Sequence, residues 1–128
     1  MVVAVVKETL ELLNIKGALV KSVPCQIKLS DRYTLIVSLT DFGQVLFGVI
    51  CENNRTLKWT NSDIVEFFID EDTQFFIENS NVCFAKSSES IGFSVTYAEE
   101  KIQVFNLVDF IEKSIAEIDR FVDDFTPI

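Results

Sequence analysis

Carboxylates are the main catalytic raw material in this chain, which carries 20 Asp and Glu and no His. The missing imidazole removes the usual general base, the usual partner of a nucleophilic Ser or Cys, and the commonest transition-metal ligand. The densest acids are Asp70-Glu71-Asp72 and Asp123-Asp124. Paired carboxylates can work as acid and base only in a cleft that drives their pKa values apart, and adjacent acids on a turn or helix face are ordinarily solvation. A calcium loop needs alternating acids around a central glycine, which the run Asp70 to Glu78 lacks. Gly17, Gly43, Gly48 and Gly92 stand alone, so no glycine-rich phosphate loop is present. Cys25, Cys51 and Cys83 are too widely spaced for a zinc or redox motif. They read as reduced thiols of a cytoplasmic protein. The expectation is a protein without enzymatic activity, cofactor or metal.

The elements that carry these residues follow from periodicity. Val2, Val6, Thr9, Leu10 and Leu13 share one side of a 3.6-residue repeat, with Gly17 shortly after its end, so a helix is expected from about Val3 to Asn14. From Ala18 to Trp59, apolar runs are punctuated by Pro24, Ser30-Asp31-Arg32, Asp41-Phe42-Gly43 and Glu52-Asn53-Asn54. These read as antiparallel strands, clearest at Tyr33 to Leu39 and Gln44 to Cys51, with Ala18 to Leu29 before them and Thr56 to Trp59 after. Val82 to Ala85, Ile91 to Tyr97 and Ile102 to Phe105 read as further strands. A C-terminal helix from Leu107 to Asp124 is marked by Val108, Ile111, Ile115, Ile118, Val122 and Phe125, with Asn106 and Asp109 in capping positions.

Residues 62–79 admit two readings. Ile64, Val65, Phe68, Ile69, Phe75 and Phe76 form a helical stripe interrupted only by Asp72, whereas the Phe, Val, Ile and Thr content favours a β-hairpin around Asp70 to Asp72. In the helical reading Phe67 and Ile77 lie off the stripe and become candidate dimer contacts. Trp59 reads as an edge-of-core residue. The fold class is therefore α+β: an antiparallel sheet flanked by amphipathic helices at both ends, in one domain spanning 1–128.

Charge narrows the partner. Residues 1–60 carry +2 and residues 61–128 carry −11, within a net −9. Such a field repels nucleic acid and anionic membrane and steers basic protein surfaces inward. A hydrophobic share of 48% with twelve Phe is ample for a core. The valine-rich start is broken by Lys7, Glu8 and Glu11, so it reads as neither a span nor a signal peptide, and the mature chain is expected to begin at Met1.

The order of elements resembles the class I type III secretion chaperones and the related YbjN-like domains. The resemblance rests on Val3 to Asn14, Tyr33 to Cys51, Asp63 to Asn79 and Ile91 to Phe125, nearly the whole chain, without a signature motif; a hairpin at 62–79 would depart from it. It implies a homodimer packed through the middle helix, with apolar grooves on the first helix and the sheet that receive an extended segment of a client protein. The expected function is non-catalytic protein binding, chaperone-like. The competing expectation is a small acidic inhibitor or immunity protein that mimics nucleic acid, with Asp70, Glu71, Asp72, Asp119, Asp123 and Asp124 as its binding surface.

Overall fold

The computed structural model describes residues 2–15, 20–40, 42–52, 82–87 and 90–125, and the side chains of these apart from 52, 82–87, 90 and 121–125. The readings at Thr56 to Trp59 and at residues 62–79 lie outside the described residues. In chain order the elements are helix α1 (Val2–Leu12), strands β1 (Cys25–Lys28), β2 (Tyr33–Leu39), β3 (Gln44–Glu52), β4 (Val82–Ser87) and β5 (Ser90–Ala98), a 3-10 turn at Glu99–Lys101, and helix α2 (Val104–Phe125).

The strands form an open antiparallel sheet in the order β1-β2-β3-β5-β4. Because strand side chains alternate, the register aligns whole rows on one face. Ile27, Leu35, Val49 and Phe93 make one such row, Tyr33, Cys51 and Ile91 a second, and Val37, Phe47 and Val95 a third. All of these are buried. They join Val6 and Leu10 of α1 and Leu107, Phe110, Ile111 and Ile118 of α2 in one core. Helix α2 packs on β3, β5 and α1, so the sheet bears its helical layer on that face.

Helix α1 buries the expected stripe, Val2, Val6, Thr9 and Leu10, and the Thr9 hydroxyl is satisfied by the Val5 carbonyl at 2.8 Å. Its end is set earlier than Gly17. Asn14 takes a left-handed φ of 58°, its N–H bonds the Glu11 carbonyl at 3.1 Å, and the Ile15 N–H bonds the Leu10 carbonyl at 3.0 Å. This is a Schellman closure with Asn in place of the commoner Gly.

The run Ile102 to Phe105 is not a strand. After the 3-10 turn the chain is extended only briefly, and α2 begins at Val104. Val104, Leu107, Val108 and Ile111 stand at i, i+3, i+4 and i+7, so the helical period captures the first of them and overrides the short alternation of Ile102 to Phe105. Asn106 therefore lies inside the first turn, and the first intrahelical bond runs from the Leu107 N–H to the Gln103 carbonyl at 3.1 Å. The buried line of α2 is also rotated from the expected one. It runs through Leu107, Phe110, Ile111, Ser114 and Ile118, with Val108 and Ile115 half-buried. Ser114 conceals this line in the sequence: its hydroxyl is fully buried without a hydrogen-bond partner.

Candidate functional site

Two ends of the sheet differ in character. At one end, the turn after β1 is organised by Ser30, whose Oγ accepts hydrogen bonds from the Arg32 and Tyr33 N–H groups, each at 3.3 Å. This aims Arg32 and Tyr33 at α2. The Tyr33 hydroxyl donates to Asp119 Oδ1, and Arg32 Nη1 meets the same oxygen at 3.3 Å. Cys51, paired with Tyr33 across β2 and β3, lies behind the phenol. The cluster ties α2, at Asp119 in its fifth turn, to the sheet. Tyr33 is itself in the core, and its burial, then the hydrogen bond and charge of Asp119, push the phenol far above its ordinary range.

The sign of that shift makes a prediction. Below about pH 10, the ordinary phenol value, Tyr33 is protonated in folded and unfolded chains alike and its contribution is complete. Above that pH the unfolded chain loses the proton while the folded chain keeps it, so stability should fall by up to ~1.4 kcal/mol per pH unit for this one group. Tyr97 shifts the same way, through burial and then the Asp109 carboxylate. Urea titrations between neutral and strongly basic pH should therefore show a shallower basic limb for Tyr33→Phe than for wild type, and a loss of ~1 kcal/mol at neutral pH from the missing hydrogen bond. Superimposable basic limbs would show that the phenol ionises as readily inside the fold as outside it.

Asp119 is thus the one candidate acid whose surroundings are defined, and its carboxylate is partly engaged within the fold, at 44% exposure. Two other acids of α2 also carry basic partners: Asp109 with Lys113 at 3.0 Å and Glu117 with Arg120 at 2.6 Å. Asp123 and Asp124 fall in the last turns of α2, where side chains are not described, and Asp70, Glu71, Asp72, Phe67 and Ile77 lie outside the described residues. Neither Cys25 nor Cys51 is in a disulfide, and burial pushes the Cys25 thiol up, which makes it a poor nucleophile at neutral pH. Among the described residues no three His, Cys, Asp or Glu side chains converge as metal ligands, and no helix is long and apolar enough to cross a membrane.

At the opposite end large apolar side chains stand exposed. The β2–β3 turn is built by Thr40, whose N–H bonds the Gln44 carbonyl at 2.9 Å and whose Oγ1 accepts from the N–H groups of Phe42 and Gln44 at 3.3 and 3.2 Å. Gly43, at a φ of 72°, lets the turn close through its own N–H to the Thr40 carbonyl at 3.2 Å. A turn this tight leaves the ring of Phe42 no interior to enter, and it stands 90% exposed. Leu39, in line with the buried residues Leu35 and Val37 at the end of β2, is 58% exposed.

Phe105 belongs to the same end. Gln44 pairs with Ala98, so the β2–β3 turn projects alongside the Glu99–Lys101 turn that leads into α2. The charge of Asp109 reaches Tyr97, at this end of β5, while Asp119 reaches Tyr33 at the other. Ten helical residues span about 15 Å, of the same order as the roughly 20 Å of travel along β2 from Leu39 back to Tyr33. Helix α2 therefore starts at the turn end, with Phe105 78% exposed in its first turn. Leu39, Phe42 and Phe105 were not singled out as site residues by sequence reasoning, although Phe42 sits between Asp41 and Gly43, a turn signal that leaves an aromatic no buried position.

No family model matches the chain, and no curated protein matches it. Among solved structures it is similar to YbjN of E. coli, whose role as a transcription regulator is itself a proposal, at 12% identity and a TM-score of 0.47 over 93% of this chain and 87% of that one.

Proposed function

We propose that this chain is a non-catalytic protein-binding module that holds an apolar segment of a client protein. The observation that carries the proposal is the group of large apolar side chains, Leu39, Phe42 and Phe105, left exposed at one end of a sheet whose remaining described inner rows are buried. Fixing three such side chains in water at element ends brings no folding gain, and large apolar side chains left exposed at one end of a fold are consistent with an interaction site. In this reading the module acts as a chaperone-like holder in the cytoplasm, and a second copy of the chain associates through Phe67 and Ile77. The nucleic-acid-mimic reading receives less support. Asp109, Glu117 and Asp119 each face a cation of the same chain, which reduces the field that α2 presents to a basic enzyme.

The test is capture of partners from the native lysate by wild type and by a Phe42→Ser/Phe105→Ser variant, with washes at low and high salt. A partner held through high salt by wild type and lost by the variant is the expected outcome. A partner that elutes as salt rises and ignores both substitutions would sink this reading in favour of an acidic inhibitor.

A further inference from the structure

The rim of the apolar end identifies the chemistry of the segment it receives. Glu99 and Glu100 follow Ala98, the residue that pairs with Gln44, and both are exposed beside the turn that carries Phe42. Lys101 is the single cation in that 3-10 turn, and Lys113, one further turn along α2 from Asp109, is already engaged by it. The local balance is acidic, and it sits in the field of a chain with net charge −9. A second copy of the chain would bring the same acids against this rim, which disfavours self-association through it.

We infer, resting on the protein-binding reading above, that the Leu39, Phe42 and Phe105 surface takes a basic amphipathic protein segment, its apolar side chains on the three exposed residues and its Lys or Arg against Glu99 and Glu100. The apolar contacts supply the binding and the acids select among apolar segments. Two surface carboxylates acting on flanking cations are together enough for roughly twofold to thirtyfold discrimination at low salt.

The experiment uses three labelled synthetic peptides that share one leucine pattern and differ only in carrying lysine, serine or glutamate between the leucines, titrated with the full chain by fluorescence anisotropy. The lysine peptide is expected to bind tightest and to lose its advantage over the serine peptide as salt is added. Phe42→Ser/Phe105→Ser should weaken the lysine and serine peptides alike. Glu99→Gln/Glu100→Gln should weaken only the lysine peptide, by about twofold to thirtyfold. Equal binding of lysine and serine peptides, both sensitive to the Phe substitutions, would overturn the charge selection and leave the protein-binding reading standing. Binding of all three that ignores the Phe substitutions, or no binding at all, would overturn both. Thermal melts of each variant serve as the folding control, since all four substituted residues are exposed.

Discussion

Replacing Gly92 with alanine should destabilise the fold by on the order of 3 kcal/mol, a large part of the 5–15 kcal/mol that holds a domain of this kind together. Gly92 lies in β5, with Ile50 of β3 on one side and Ala85 of β4 on the other. A Cβ there would sit 2.2 Å from the Val49 carbonyl oxygen, 2.9 Å from Ile50 Cγ2 and 3.0 Å from Ile50 Cα. Two of those three atoms are backbone, so no rotamer change relieves the overlap; β3 and β5 would have to separate, weakening the hydrogen bonds between them. Gly48 is the internal control. Its Cβ would meet nothing nearer than 3.8 Å, and alanine in a strand interior is otherwise preferred to glycine by roughly 0.5–1 kcal/mol. Urea unfolding should place Gly48→Ala at or above wild type and Gly92→Ala far below it. Equal stabilities of the two variants would show that the approach of β3 and β5 is not the constraint.

That contrast also marks where reading the sequence succeeds. The bounds of β2 and β3 were legible because apolar residues alternate on either side of Asp41-Phe42-Gly43, and α1 was legible because Val2, Val6 and Leu10 repeat at helical spacing. The two isolated glycines of β3 and β5 look alike in the sequence and differ only in what the neighbouring strand brings near them. The same holds for the sheet order. Local patterns mark β4 and β5 as strands, but that β5 and not β4 lies beside β3 is a pairing between distant residues that no periodicity encodes. Phe105 was misassigned because Ile102 to Phe105 alternates over only four residues, too few to compete with the longer period of α2. The buried line of α2 was misplaced because Ser114, a polar residue, occupies a core position.

Asp119 shows the same limit at the candidate site. As an acid on an amphipathic helix it was legible as surface charge, but Arg32 is its partner from 87 residues away, and only the packing of α2 on the sheet joins them. An acid on the polar face of α2 is therefore a poor guide to free charge, since Asp109, Glu117 and Asp119 each meet a cation. What remains to bind a partner is better judged by which large apolar groups the fold declines to cover.

Phe47 and Phe42 turn that criterion into opposite expected results for one residue type. Phe47 is fully buried on β3, in the row of Val37 and Val95, with its ring centroid 6.1 Å from that of Tyr97 at a tilt of 56°. Phe47→Ala removes a ring from the core between strands held in register on both sides, so the cavity can close only partly, and the loss should be about 3–5 kcal/mol. Five residues earlier, Phe42 is 90% exposed, and Phe42→Ser should leave the melting temperature within the range of ordinary surface changes, about ±0.5 kcal/mol. Yet peptide or client binding should respond in the reverse order: abolished or much weakened by Phe42→Ser, and retained by whatever fraction of Phe47→Ala stays folded. Chemical denaturation and anisotropy titration on the same two variants measure both quantities. If Phe42→Ser lowers stability as Phe47→Ala does, the ring is part of the core and the docking surface is lost with it; if it changes neither stability nor binding, the exposed ring has no role in recognition.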